Sequence, residues 1–241
     1  MLLELPHHHA AVFCTLTYDE EHAPSVYDPE TGEHWLTLRK EDCQKWLKRL
    51  RKKASGSALP AVRYFLTGEY GSRTQRPHYH AIIFGLSVFD GDLIQSTWKN
   101  GFVDVRETNE KNIAYTAKYA LKELKKDDRR LRTRQPTFIL TSRKPAIGVP
   151  SIPSIGRSLV TRKNGAIISK GTIDGSVRIG KSVYQLDRLM WTKLKSFMAL
   201  PPHIEACTLL RNSGLYDPAY GKAKAERAER QATQTSPGEV L

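Results

Sequence analysis

The sequence predicts an α+β protein, an antiparallel β-sheet with helices packed against it. Two observations carry that prediction. Four short β-rich segments lie in the N-terminal half, and two amphipathic helical stretches fall among them in the order β-α-β-β-β-α. Strands joined by hairpins in this way suit an antiparallel sheet better than the strict strand-helix alternation of a doubly wound parallel one. Residues 12–17 alternate β-branched and aromatic side chains and form the first strand. A helix follows, in which Cys43, Trp46, Leu47 and Leu50 recur at helical spacing while Lys40, Lys45, Lys48, Arg49, Arg51 and Lys52 fill the remaining surface, giving it a basic face. Residues 62–67, 79–84 and 102–105 supply three more strands. A second helix is expected over 112–126, with Ile113, Ala117, Ala120, Leu121 and Leu124 as its apolar stripe.

Past Lys126 the texture changes. Residues 127–165 are rich in Arg, Pro, Ser and Gly around one short apolar piece at 138–140, which predicts irregular structure. The Asp174-Gly175 pair signals a tight hairpin turn, residues 184–200 read as a closing helix, and from Lys222 onward a polar, alternately charged stretch reads as a frayed helical tail. The expected division is therefore 1–126, a C-terminal extension over 127–221, and a flexible tail over 222–241.

At 241 residues the chain is long enough for a sizeable core, and 39% hydrophobic with 26% charged residues argues against wholesale disorder. Against 25 acidic residues stand 38 Lys and Arg, a net charge of +13, which points to a polyanionic partner and first of all to nucleic acid. No apolar run approaches the roughly 18 residues needed to cross a bilayer, so a cytosolic location with no membrane partner is expected. The three cysteines, Cys14, Cys43 and Cys207, are widely spaced and form neither a disulfide framework nor a cysteine metal site.

The segment from Gly68 to Gly85 is the most informative. His78 and His80 alternate along a strand and so project from one face, and Glu69, across a hairpin loop containing Gly71 and Pro77, is placed beside them. Two imidazoles and a carboxylate suit Mg²⁺ or Mn²⁺ when water and phosphate oxygens complete the coordination. Alone, an H-x-H pair is as well read as two ordinary polar-face histidines. The second constellation is Tyr115-Thr116-Ala117-Lys118-Tyr119, where Tyr115, Lys118, Tyr119 and Lys122 share a helix face. A phenol becomes a competent nucleophile only where a metal, cation or base favours the phenolate, a charge that Lys118 can supply. Alone, these tyrosines are equally well read as packing residues. The consecutive His7, His8 and His9 lack a carboxylate partner and are left outside the site.

Taken in order, the T-L-T-Y strand at Thr15 to Tyr18, Glu69 nine positions before H-Y-H, and Tyr-x-x-Lys-Tyr on a later helix resemble the HUH endonuclease superfamily. The wording of residues 13–24, 67–85, 115–122 and 142–148 is similar to the rolling-circle replication initiators of small single-stranded DNA phages, the gokushovirus group of microviruses. The resemblance implies a ferredoxin- or RRM-like endonuclease core over residues 1–126. It implies a divalent ion held by Glu69, His78 and His80, and a tyrosine, Tyr115 or Tyr119, that attacks an origin phosphodiester. The products would be a 5′-phosphotyrosine link and a 3′-hydroxyl that primes synthesis in the cytoplasm of a bacterial host. Two such tyrosines would alternate. Such initiators usually carry a cysteine-rich stretch before the T-L-T-Y strand, whereas only a few residues precede it here.

Single-stranded origin DNA is then the expected partner, bound by Lys45, Lys48, Arg49, Lys52 and Lys122. With no helicase motor read from the chain, a host replication helicase and polymerase are expected to join it. The same histidine pair would serve a transposase-like strand transferase, and an antiparallel sheet of this kind also serves non-catalytic single-stranded nucleic-acid-binding modules.

Overall fold

In a computed structural model, the structure describes residues 1–57, 59, 61–71, 73–122, 133–161 and 175–198, and only the backbone of 119–122 and 159–161. The chain divides into two compact units, Met1–Ser151 and Ile152–Leu241. The first is built on a five-stranded sheet of β1 (Ala11–Tyr18), β4 (Arg63–Tyr70), β5 (Pro77–Phe84), β6 (Gly101–Glu107) and β7 (Phe138–Thr141), in the order β6-β1-β5-β4-β7. Every pairing is antiparallel. The predicted α+β class is therefore observed. A separate hairpin of β2 (Ser25–Asp28) and β3 (Glu33–Leu36) lies between β1 and the first helix.

Alternation gives the sheet two different faces. One carries Val12, Cys14, Leu16, Leu66, Tyr79, Ala81 and Ile83, all fully buried. Helix α1 (Lys40–Gly56) covers this face with Cys43, Trp46, Leu47, Leu50 and Ala54, and α2 (Gly91–Thr97) adds Ile94. Glu41 and Asp42 in the first turn of α1 and Lys53 in its last complement the helix dipole. Within this core the Tyr18 hydroxyl donates to Asp42 at 2.9 Å and lies 3.0 Å from the Tyr79 hydroxyl. Burial, reinforced by these neighbours, pushes both phenols far above their ordinary range. Neither is a nucleophile.

The other face is apolar only at one end, where Phe13, Ile82 and Phe84 meet Ile113 of α3 (Glu110–Lys122). On α3 the buried positions are Ile113 and Thr116, with Ala117 half-buried. Thr116 escaped the predicted stripe because its hydroxyl is satisfied locally, donating to the Asn112 carbonyl at 2.8 Å. Leu124 lies outside the described residues. The N-terminal segment is tied down by Glu4, which is fully buried and accepts from Arg63 at 2.5 Å, from the Gly148 N–H at 2.6 Å and from His8 at 3.1 Å. Burial alone would raise this carboxyl, but the hydrogen bonds outweigh it and hold it below its ordinary 4.5. Because the folded value is depressed, the stabilisation is present above the ordinary carboxylate range and is lost as pH falls through the depressed value. Glu4→Gln is expected to cost about 2 kcal/mol at neutral pH and to flatten the acid limb of stability, as read by urea melts between pH 3 and 7.

Two expectations past Lys126 are corrected. The region 127–165 contains β7, an edge strand on β4, and α4 (Ile152–Thr161). Four residues are too few for a strand signal, and Pro153 disguises a helix start at which it is tolerated. In the second unit the hairpin is β8 (Ser176–Ile179) with β9 (Ser182–Gln185), and its two-residue turn is Gly180-Lys181, with Gly180 at φ +58°. The Asp-Gly pair instead precedes β8, and Tyr184 lies in β9 rather than in the closing helix, α5 (Arg188–Phe197). Residues 175–182 spell G-x-x-x-x-G-K-S, a phosphate-loop pattern that qualifies the absence of a motor in the sequence reading. Here the string forms two strands and a tight turn, without the strand-loop-helix that cradles phosphates. The tail from Lys222 lies outside the described residues, none of which forms a helix long and apolar enough to cross a membrane.

Candidate active site

Beyond the part of the sheet that α3 covers, the same face turns polar. Phe102, Thr17, His78 and Glu69 form one cross-strand row over β6, β1, β5 and β4, and Asp104, Thr15, His80 and Thr67 form the next. Side chains paired in this way sit about 5 Å apart at Cβ, so the strand register alone brings Glu69 opposite His78. The loop 71–76 that joins β4 to β5 stays compact because the Gly71 N–H donates to the Arg76 carbonyl at 2.9 Å, and the buried Arg134 guanidinium donates to the Gln75 carbonyl at 3.0 Å. Gly71 matters for space: a Cβ there would come within 3.0 Å of His78 Nε2.

His80 and Glu69 are both buried, with Nε2 2.8 Å from Oε1, and Thr15 Oγ1 lies 3.2 Å from His80 Nδ1. The consistent assignment has the threonine hydroxyl donating to Nδ1 and Nε2–H donating to the carboxylate. Three atoms around this pair are buried without a partner: Glu69 Oε2, His78 Nδ1 and Thr67 Oγ1. Each orphaned group costs on the order of 1–3 kcal/mol, so together they are an arrangement waiting for a ligand. Desolvation, then the neighbouring His80, lowers the His78 pKa, which favours the neutral ring that a metal requires. Among the described residues no three His, Cys, Asp or Glu side chains close into a ready ligand cage. The donor set nevertheless fits a divalent ion: adjacent ligands of an octahedral site with 2.0–2.1 Å bonds lie about 2.9 Å apart, close to the His80–Glu69 separation.

Tyr115 stands over this pair. Its ring is 5.2 Å from that of His80 and 6.3 Å from that of Phe13, edge-on to both, while 40% of the residue stays exposed. A cleft of about 510 Å³ opens beside it, floored by Phe13, Thr15 and His80 and rimmed by Asp104, Arg106 and Lys111. Tyr119 lies one helical turn further along α3, described as backbone only, as is Lys122. Lys118 is exposed. Thr15 and Thr67 are members of the site that the sequence reading passed over, although both are read directly from strand alternation once the register is known.

The basic face of α1 is not brought to this site. Because Trp46 and Leu50 pack on the opposite face of the sheet, exposed Lys45, Lys48 and Lys52 look away from it, and Arg49 donates instead to the Thr97 carbonyl at the end of α2, at 2.8 Å. Each phosphate contact contributes about 0.7 to the salt slope of single-strand binding. The triple change Lys45→Gln, Lys48→Gln, Lys52→Gln is therefore expected to alter that slope by less than one contact for an oligonucleotide just long enough to cover the site face. A fall of about 2 would place the DNA path around the back of the sheet.

Residues 11–124 match the family model of the ORF2-type replication-associated proteins. The chain is 30% identical over 156 residues to the replication-associated protein VP4 of Bdellovibrio phage phiMH2K, covering 57% of this chain and 46% of that protein. It is 30% identical over 127 residues to the replication-associated protein ORF2 of Spiroplasma virus 4, covering 46% of this chain and 38% of that protein. Against the replication-associated protein ORF4 of Chlamydia phage 1 the identity is 28% over 127 residues, covering 45% and 29% of the two chains. The chain thus spans less than half the length of the curated relatives it matches. No solved structure matches it.

Proposed function

From the match of residues 11–124 to the ORF2-type replication-associated proteins, we propose that this protein initiates phage DNA replication by nicking single-stranded origin DNA. One observation carries the chemistry: an accessible phenol, Tyr115, stands beside a buried His80–Glu69 pair whose neighbouring donor atoms lack partners. A plain nucleic-acid-binding face has no use for a carboxylate and imidazole buried in this way.

Glu69, His78 and His80 would hold a divalent ion, which supplies a Lewis acid that draws charge from a non-bridging phosphate oxygen. The chain's own groups do the rest. Thr15 fixes the His80 ring from the Nδ1 side, and the Glu69 carboxylate orients Nε2. Tyr115 gives up its phenolic proton and its Oη bonds to phosphorus; the P–O3′ bond breaks, and the departing oxygen takes up a proton as the 3′-hydroxyl. One phosphodiester is exchanged for another, so the link to the 5′-phosphate conserves the energy for later rejoining. Tyr119, one turn away, is the second nucleophile of an alternating pair. The free 3′-hydroxyl then primes a host polymerase, and a host helicase opens the duplex.

The test incubates the protein with labelled single-stranded oligonucleotides tiled across the genome that encodes it, with Mn²⁺. A denaturation-resistant adduct on one oligonucleotide, lost with EDTA, is the expected result. No adduct on any tile would overturn the reading.

A further inference from the structure

Phe102 is unexplained by packing. It is 67% exposed, yet it lies on the site face of the sheet, in the same cross-strand row as Thr17, His78 and Glu69. Two strand spacings, about 10 Å, separate its backbone from that of His78. Its presentation is built in: Gly101, at φ +142°, lets the start of β6 press against the end of β1, where a Cβ would clash with the Asp19 nitrogen and the Thr17 carbonyl. The neighbouring residues on that face, Thr17 and Asp104, are polar, so Phe102 is a lone ring rather than part of a contiguous apolar patch. A protein partner would need such a patch. A nucleobase needs one ring, with cations nearby for the backbone, and exposed Lys99 just before β6, Arg106 further along its site face and Arg76 beside the β1 end are so placed.

We propose that Phe102 is a base-stacking platform that receives a nucleotide flanking the phosphate held at the active site. The proposal rests on the nickase reading for its substrate, but stacking is measured without cleavage. Full-length protein in EDTA is titrated with single-stranded oligonucleotides carrying 2-aminopurine at successive positions. Phe102→Ala is expected to weaken binding about tenfold and to abolish the fluorescence change at one position, while Phe102→Tyr and Phe102→Trp retain both. Unchanged affinity and fluorescence in Phe102→Ala would overturn it. So would an equal loss in Phe102→Tyr, which would mark a purely structural role. Stacking at one position by a wild-type protein that forms no adduct with Mn²⁺ would leave the platform standing and remove the nickase.

Discussion

Tyr115→Phe is expected to slow formation of the first covalent adduct by about a thousandfold or more, while Tyr119→Phe leaves that first adduct nearly intact and fails at the second transfer. The asymmetry follows from position. Tyr115 faces His80 at 5.2 Å between ring centres and borders the cleft, whereas a residue four positions later is displaced by about 6 Å along the helix axis. Loss of one hydroxyl from a 40%-exposed ring removes the attacking atom with little change in packing, so the effect should fall on the rate and leave oligonucleotide binding alone. The double variant should give no adduct. Mass mapping of the DNA-linked peptide from each single variant identifies the nucleophile. If Tyr119→Phe alone loses the first adduct, the order is reversed; if one variant loses every adduct and the other completes strand transfer normally, a single tyrosine serves and the alternating scheme is wrong.

Much of this site is legible in the sequence because strand alternation is a strict rule. It places His78 and His80 on one face, and the short loop to Glu69 fixes the hairpin register, which is observed as Glu69 opposite His78. Strands β1, β4, β5 and β6 were legible for the same reason, and α1 and α3 through their apolar spacing. What periodicity does not encode is which face of a sheet a helix will cover. The basic helix α1 therefore looked like part of a DNA surface, although its Trp46 commits it to the far side. Short elements were lost too: β2 and β3 have four residues each, mostly exposed, and β7 makes sense only against its partner β4. Phe102 is ordinary as sequence and becomes informative only when its row and exposure are known. The G-K-S spelling shows the converse, a motif that exists in letters and whose residues the fold uses as a hairpin.

Removing the carboxylate charge separates stability from function most sharply. Glu69 is buried with one oxygen unpartnered, so without metal it is held at a cost that Glu69→Gln should relieve; the variant is expected to melt at the same temperature as the parent or higher in EDTA. With metal the order should reverse. An ion that binds only the folded state stabilises it by about 2.7 kcal/mol at a hundred times its dissociation constant, a visible rise in melting temperature for the parent protein. Glu69→Gln should lower Mn²⁺ affinity about ten- to a hundredfold and shrink that rise accordingly. His78→Ala and His80→Ala should abolish both the rise and Mn²⁺-dependent cleavage, because water cannot reproduce a fixed imidazole in a buried row. Single-stranded DNA binding in EDTA should survive in all three, since cations elsewhere on the chain supply it. A Mn²⁺-induced rise of parental size in the His78→Ala, His80→Ala double variant would show that these residues are not the ligands, and the buried pair would then need a structural explanation that its orphaned atoms do not offer.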